Sequence, residues 1–286
     1  GAGKSTTMNM ITGYISATEG SVHINGFDVA KEPEKAKAHI GYLPEIPPVY
    51  PDMTPDEYLS FAGELKRIPG NQISNEVKRV MELTGVTSMR KRLICNLSKG
   101  YRQRVGFACA LLGNPEVIIL DEPTVGLDPK QMIEIRNLIR SLRGEHTVIL
   151  SSHILSEVSA VCDHVLIISK GKLVAGDRPE HLSSLMRKTN SYQLLIQGGE
   201  ETVYKALREI SDIRKIETME VSSGLTSVRL ETEADRDPRE DVFRKLAAID
   251  CPIMELTSKV MSLEDIFLEL TDDAHNVQEK DQEVNP

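Results

Sequence analysis

A strand, a helix and a second strand follow one another in the middle of the chain, and this order limits the possible folds strongly. Two short apolar runs, residues 117–120 and 147–150, have the length of buried strands. Between them, residues 130–142 show helical spacing directly after Pro129, and proline is favoured at a helix start. Two strands joined by a crossover helix run parallel in one sheet. The sequence therefore predicts an α/β fold built on a parallel sheet.

The first residues form a glycine-rich turn that leads into a predicted helix at residues 4–11. The turn consists of Gly1, Ala2, Gly3, Lys4, Ser5 and Thr6. Glycines let backbone N–H groups curve around phosphate oxygens, and a helix N-terminus directs its positive end at them. The run matches the second half of the Walker A pattern, in which lysine reaches the β- and γ-phosphates and serine holds Mg²⁺. We expect these six residues to bind ATP, with Lys4 and Ser5 in those two roles.

The first glycine of the Walker A pattern would lie before residue 1, and the chain does not begin with Met. We therefore expect the sequence to be truncated within the phosphate-binding loop. A fragment that lacks this part of the loop should bind ATP poorly.

Two carboxylates end the predicted strand at residues 117–120. In open parallel sheets, ligands bind at the carboxyl ends of the strands. Asp121 is placed there to hold Mg²⁺, and Glu122 to accept a proton from an attacking water, as phosphoryl transfer requires. The glycine-rich turn and this acid pair together predict a P-loop nucleotide hydrolase.

Three further motifs carry a resemblance to a known family. The run Leu97-Ser98-Lys99-Gly100-Tyr101 resembles the signature of ATP-binding cassette (ABC) proteins, usually Leu-Ser-Gly-Gly-Gln. Gly126-Leu127-Asp128 resembles the D-loop of that family, and Ser151-Ser152-His153 resembles its switch histidine. The resemblance covers residues 1 to about 185 and implies an ABC-type ATPase domain at 1–187, with a helical subdomain at about 50–112.

The resemblance implies an ATP site that is shared between two copies of the chain and is complete in neither copy alone. It places Lys4, Ser5, Asp121, Glu122 and His153 of one copy around the nucleotide, with His153 at the γ-phosphate. From the opposite copy it adds Ser98 and Gly100, with Asp128 nearby. A homodimer that binds ATP and Mg²⁺ is therefore expected.

Two motifs depart from the family pattern. Glu45 stands where the Q-loop normally has glutamine, so a carboxylate would approach Mg²⁺ or act in catalysis without the donor of an amide. Lys99 and Tyr101 replace glycine and glutamine in the signature. Lys99 must either point away from the phosphates or bring charge toward them. The aromatic residue that stacks on adenine in the family lies before the phosphate-binding loop, so the sequence identifies no adenine-stacking residue.

A second domain is predicted at residues 188–271. Its segments follow the order β-α-β-β-α-β with a final helix at 263–270, which matches the ferredoxin-like arrangement. We expect this domain to stabilise a dimer or to regulate the ATPase, and a ligand-sensing role stays open. The polar, acidic and aperiodic segment 272–286 is expected to be disordered.

Composition and the resemblance together indicate the partners. The net charge of −9 argues against a nucleic-acid partner, and no apolar run approaches the ~18 residues that span a bilayer. Residues 262–270 resemble an ending found in cytosolic ATPase subunits of bacterial exporters. The main hypothesis is therefore an ATPase subunit that energises a separate membrane permease, located in the cytoplasm on the inner face of the cell membrane.

Two other hypotheses stay open. A soluble ABC ATPase acting on ribosomes or DNA usually has two cassettes or a long coiled coil, whereas this sequence contains one cassette and no sustained heptads. A nucleotide-binding regulator without turnover would not need all of Lys4, Asp121, Glu122 and His153.

Overall fold

The computed structural model describes residues 2–185, 189–222, 224–233 and 236–259, together with 264 and 266. The chain divides into two compact units, Gly1–Ala175 and Gly176–Pro286. The predicted boundary at 187/188 lies further along the chain, because the helix at Pro179–Leu185 groups with the second unit. The predicted extent of the two domains stays a prediction.

The first unit combines helices with short strands. Its helices are α1 Lys4–Ile11, α2 Pro33–Ala38, α3 Pro55–Leu65, α4 Gly70–Thr84, α5 Lys99–Leu111, α6 Pro129–Ser141 and α7 Leu155–Val161. Its strands are β1 His23–Ile24, β2 Phe27–Asp28, β3 Ile40–Leu43, β4 Val117–Asp121, β5 Thr147–Ser151, β6 Val165–Ser169 and β7 Lys172–Asp177, the last of which crosses the division. Within the described part of the chain, no helix is long and apolar enough to cross a membrane.

The central sheet of the first unit has the order β3-β4-β5, and both strand pairs are parallel, as the sequence predicted. Alternate residues of β4 enter two different cores. Ile118 and Leu120 belong to the large cluster that also contains the apolar faces of α3 to α6. Ile119 belongs to a smaller cluster with Met8 of α1 and Ile40 of β3. The sheet is therefore covered on both faces, which explains why its strands are apolar throughout.

Local sequence explains where several helices begin. Thr54 and Glu57 form a reciprocal capping box at the start of α3, where the Glu57 side chain accepts from the Thr54 N–H at 2.8 Å. The α6 helix begins at Pro129, and the Asp128 side chain caps it by accepting from the Gln131 N–H at 2.9 Å. These caps fix where α3 and α6 begin.

The second unit combines an antiparallel sheet with helices. Its helices are α8 Pro179–Leu185, α9 Glu200–Arg208 and α10 Arg239–Ala248, and its strands are β8 Thr189–Gln197, β9 Ile213–Ser222, β10 Leu225–Glu233 and β11 Ile253–Lys259. Of these helices, α9 and α10 share an apolar cluster with the sheet. The order β11-β8-β10-β9 confirms the predicted ferredoxin-like arrangement. Most of the predicted helix at 263–270 and the whole predicted tail at 272–286 lie outside the described residues.

Candidate active site

The carboxyl ends of β4 and β5 lie side by side and bring the acid pair next to the switch segment. Asp121 pairs with Ser151 in the parallel register, and the Ser151 hydroxyl donates to Asp121 Oδ1. The backbone N–H of Glu122 lies 3.2 Å from both the carbonyl oxygen and the hydroxyl oxygen of Ser151. Asp121 is only 8% exposed. A single serine therefore holds both acidic residues at the edge of the sheet.

Glu122 and His153 form the central contact of the site. His153 Nδ1 lies 2.7 Å from Glu122 Oε2, and the His153 backbone N–H also approaches this oxygen at 3.4 Å. An ionised carboxylate can only accept, so Nδ1 carries the hydrogen of this bond. The Glu122 side chain is 13% exposed and that of His153 is 61% exposed. The second oxygen of Glu122 has no hydrogen-bond partner among the described residues, which leaves it able to accept a proton from water.

The backbone of Glu122 is strained. Its φ of +49° lies in the left-handed region that non-glycine residues rarely adopt. Such a conformation costs about 1–3 kcal/mol and persists only where neighbouring contacts enforce it. The contacts from Ser151 and His153 hold Glu122 in this conformation. Tertiary contacts, and not the backbone preference of the residue, therefore orient its carboxylate.

The helix α1 begins at the glycine-rich turn, as predicted. Gly3 has a φ of +102°, which a side chain would strain, and the helix has no side-chain cap. Its first N–H groups therefore remain available to an anion. The Ala2 carbonyl accepts from the Gly171 N–H at 3.0 Å, which ties the turn to the β6–β7 connection. Lys4, Ser5 and Thr6 form the first turn of α1, whereas Gly1 lies outside the described residues.

The signature segment and the D-loop lie against each other in the same chain. Ser98 is the N-cap of α5 and accepts from the Tyr101 N–H at 3.4 Å. A Cβ on the buried Gly100 would lie 2.3 Å from the Gln131 side-chain oxygen of α6. A Cβ on Gly126 would lie 2.1 Å from Lys99 Nζ. The Lys99 side chain thus lies over the D-loop of its own chain.

The remaining predicted site residues are positioned by separate elements. Glu45 is exposed and lies two residues beyond the end of β3, at the sheet edge where Asp121 and Ser151 end their strands. In the part of the chain that the structure describes, no hydrogen bond or ion pair joins Lys4, Ser5 or Glu45 to Asp121, Glu122 or His153. The same holds for Ser98. One chain therefore brings together the acid pair and the histidine, and separately the signature and the D-loop.

Comparison with known proteins identifies the family. A family model described as "ABC transporter" matches residues 1–125. The bacitracin transport ATP-binding protein BcrA of Bacillus licheniformis is 35% identical over 265 residues, which cover 86% of this chain and 85% of BcrA. The linearmycin resistance ATP-binding protein LnrL of Bacillus subtilis is 30% identical over 95% of this chain and 86% of LnrL. The chain belongs to the ABC transporter ATP-binding protein family.

The fold of this ABC ATPase agrees with the assignment. A solved ATP-binding subunit of an ABC transporter is 28% identical, has a TM-score of 0.59, and is matched over 64% of this chain and 77% of its own. The predicted fold class, a P-loop hydrolase of the ABC type, is thereby confirmed. The protein binds ATP and hydrolyses it to ADP and phosphate.

Sequence reasoning missed two contacts that shape the candidate site of the ABC ATPase. Ser151 was identified only as part of the switch motif, because its contact with Asp121 depends on the register of β4 and β5. Gln131 was not predicted, since its packing against Gly100 depends on how α5 and α6 approach each other. Spacing along the chain contains no signal for either contact.

Proposed function

We propose that this ABC ATPase energises a separate membrane permease by closing and opening a dimer of two copies around ATP. The observation that most strongly supports the hydrolytic part of this proposal is the contact between Glu122 and His153 at the ends of neighbouring parallel strands, beside the buried Asp121. A carboxylate with one oxygen held by an imidazole and the other open is suited to accept a proton from water. The relatives named for bacitracin transport and linearmycin resistance favour an exporter.

Within the proposed site, one copy binds the nucleotide through its phosphate loop. The first-turn amides of α1 and the Lys4 ammonium would hold the phosphates. Ser5, Asp121 and Glu45 offer hydroxyl and carboxylate oxygens, the ligand type that Mg²⁺ prefers. When bound, the ion would neutralise charge on the β- and γ-phosphates.

Glu122 would take the proton of the attacking water as it adds to the γ-phosphorus. His153 would direct Glu122 and lie near the γ-phosphate, and ADP would leave. The opposite copy would add Ser98 and the Gly100 N–H at its own helix N-terminus, with Asp128 nearby. In this proposal the protein itself lies in the cytoplasm and is held at the inner face of the membrane by the permease.

The general-base role of Glu122 is tested by Glu122→Gln in the full-length protein. An amide cannot accept the proton but keeps the size of the side chain. We expect ATP to bind with an affinity within about twofold, and hydrolysis to fall by about 10²–10⁴-fold, the range that general base catalysis contributes. Phosphate release and calorimetry with a non-hydrolysable analogue measure the two effects.

The matched control is Glu64→Gln, an exposed carboxylate of α3. It should leave both binding and hydrolysis unchanged. Unchanged turnover in Glu122→Gln would overturn the assignment of the base.

A further inference from the structure

A buried hydrogen bond joins the segment after the acid pair to the helix after the switch histidine. Thr124 Oγ1 donates to Glu157 Oε2 at 2.6 Å. Thr124 is 4% exposed and Glu157 is 5% exposed. Thr124 lies two residues beyond Glu122, and Glu157 lies four residues beyond His153 on α7. None of the proposed catalytic steps uses either side chain.

The second oxygen of Glu157 makes the contact unusual. Oε1 is buried and has no hydrogen-bond partner in the described residues. Removing a carboxylate from water while leaving one oxygen without a donor destabilises the folded protein. An apolar side chain of similar size would pack here with a smaller loss of folding free energy. Net stability therefore does not explain why a carboxylate occupies this position.

The location of the bond suggests what it does. The loop after β4 is a compact turn in which the Val125 N–H donates to the Glu122 carbonyl and the Leu127 N–H donates to the Thr124 carbonyl, both at 3.2 Å. A shift of Thr124 therefore moves Glu122 and the D-loop together.

The opposite end of α7 is held separately by α6 and by the segment directly after it. Arg140 donates to the Ala160 carbonyl at 2.7 Å, and Arg143 donates to the Val161 carbonyl at 2.8 Å. The bond from Thr124 to Glu157 holds α7 near its N-terminal end, which follows the switch histidine. The two ends of α7 are therefore held by different segments.

We infer that Thr124 and Glu157 are positioning residues that set the distance between Glu122 and His153. Three hydrogen-bonded pairs then connect the switch segment to the acid-pair segment. They are Ser151 with Asp121, His153 with Glu122, and Glu157 with Thr124. This inference rests on the proposed function, because it assigns the pair to the geometry of the same hydrolytic site.

The test compares Thr124→Val with the double variant Thr124→Val/Glu157→Leu in the full-length protein. Thr124→Val removes the donor and leaves a buried carboxylate without any partner, so both the melting temperature and kcat should fall. The double variant removes both polar partners, so its melting temperature should return to the wild-type value or above it. Its kcat should nevertheless stay about tenfold below the wild-type value. Its KM for ATP should change by less than about twofold, because the hydrogen bond between Thr124 and Glu157 has been lost and the nucleotide contacts have not.

Two further variants separate positioning from general stability. Thr124→Ser keeps the hydroxyl and should restore kcat to nearly the wild-type value. Thr84→Val removes another buried hydroxyl, which donates to the Val80 carbonyl at 2.8 Å within α4. It should lower the melting temperature and leave kcat unchanged.

Different outcomes would contradict the positioning role of Thr124 and Glu157 and the proposed function. A double variant with restored stability and wild-type kcat would overturn the positioning role of Thr124 and Glu157 and would leave the proposed function intact. Unchanged ATP hydrolysis in Glu122→Gln would overturn the proposed hydrolytic site and the inference with it, because the distance between Glu122 and His153 would then have no role in turnover.

Discussion

Single side chains hold the proposed reacting groups of this ABC ATPase in place. Ser151 contacts Asp121 through its hydroxyl and the Glu122 N–H through both of its oxygens, so it fixes a strained backbone and a buried carboxylate together. Asp121, Glu122 and His153 were predicted from the sequence because their residue types and order resemble the family. Ser151 acquired its role only from the strand register, which the sequence does not reveal.

A second carboxylate, Glu76, stabilises the end of a helix far from these groups. Its Oε1 accepts from Arg79 at 2.7 Å and from the Gly113 N–H at 2.8 Å, just beyond the end of α5. The hydrogen bonds from Arg79 are the main cause that lowers the pKa of Glu76 below its ordinary 4.5, with a further contribution from Gly113. Arg79 also donates to the Leu111 carbonyl at 3.0 Å. Glu76 and Arg79 therefore cap α5 together.

The lowered pKa of Glu76 predicts a pH dependence of stability. A carboxylate with a lowered folded-state pKa stabilises the protein above its unfolded pKa, and this contribution is lost as the pH falls through the folded value. Glu76→Gln should therefore lower the free energy of unfolding at pH 7 by about 1–2 kcal/mol, somewhat less than the ~1.5–3 kcal/mol of a hydrogen bond to a charged group, because solvent screens this partly exposed pair. As the pH falls below about 4.5, the difference between wild type and variant should shrink.

Urea titrations at pH 7 and at decreasing acidic pH values measure this difference. Glu82→Gln, an exposed carboxylate on the same helix, is the control, and it should change stability by less than about 0.5 kcal/mol. A constant gap between wild type and Glu76→Gln at every pH would contradict the assignment.

At the scale of elements, the close approach of β3 and α5 fixes where the sheet meets the helices. A Cβ on Gly41 of β3 would lie 2.1 Å from the Ala110 carbonyl oxygen of α5 and 2.9 Å from the Pro115 ring. The carbonyl belongs to the backbone, so it cannot rotate away as a side chain could. The glycine therefore lets the strand before Glu45 pass directly against the signature helix.

Gly41→Ala should lower the free energy of unfolding by about 1–3 kcal/mol, as overfilling of a packed interior does. The matched control is Gly70→Ala at the start of α4, where an added Cβ meets nothing within 4 Å. It should be neutral or slightly stabilising, because alanine favours a helix more than glycine does. Denaturant midpoints measured under the same conditions compare the two. Equal effects of both substitutions would show that the contact with α5 does not limit packing.

The sequence predicted most of the elements because their signals are local. The helix at residues 4–11 follows a glycine-rich turn, and the parallel sheet follows from two apolar runs around a helical segment. The seven-residue helix α7 was not predicted, since it is too short to show a repeated apolar pattern. The orientation of Lys99 over Gly126 also could not be predicted, because it depends on packing between segments distant in sequence.

At the scale of the whole molecule, the chain contains two units with separate cores. The second unit has its own apolar cluster, built from strands β8 and β10 and helices α9 and α10. The proposed catalytic residues that the structure describes all lie in the first unit. A regulatory or dimer-stabilising role for the second unit remains a proposal.

In the proposed function, two copies of the chain share each ATP site. In the proposed arrangement Ser98 contacts only the nucleotide that the opposite copy holds. A substitution of Ser98 should therefore affect the association of two chains without affecting ATP binding by one chain. We expect Glu122→Gln to block hydrolysis, which would let the ATP-bound form accumulate. A second substitution, Ser98→Arg, places a bulky side chain at the N-cap of α5, where the opposite copy would meet it.

The decisive measurement is the mass of full-length Glu122→Gln by light scattering with and without ATP, alone and combined with Ser98→Arg. We predict a dimer for Glu122→Gln in ATP and a monomer without it. The double variant should bind ATP with the same affinity and remain a monomer. A Glu122→Gln protein that stays monomeric in saturating ATP, or a Ser98→Arg substitution that abolishes ATP binding by the monomer, would contradict the shared site.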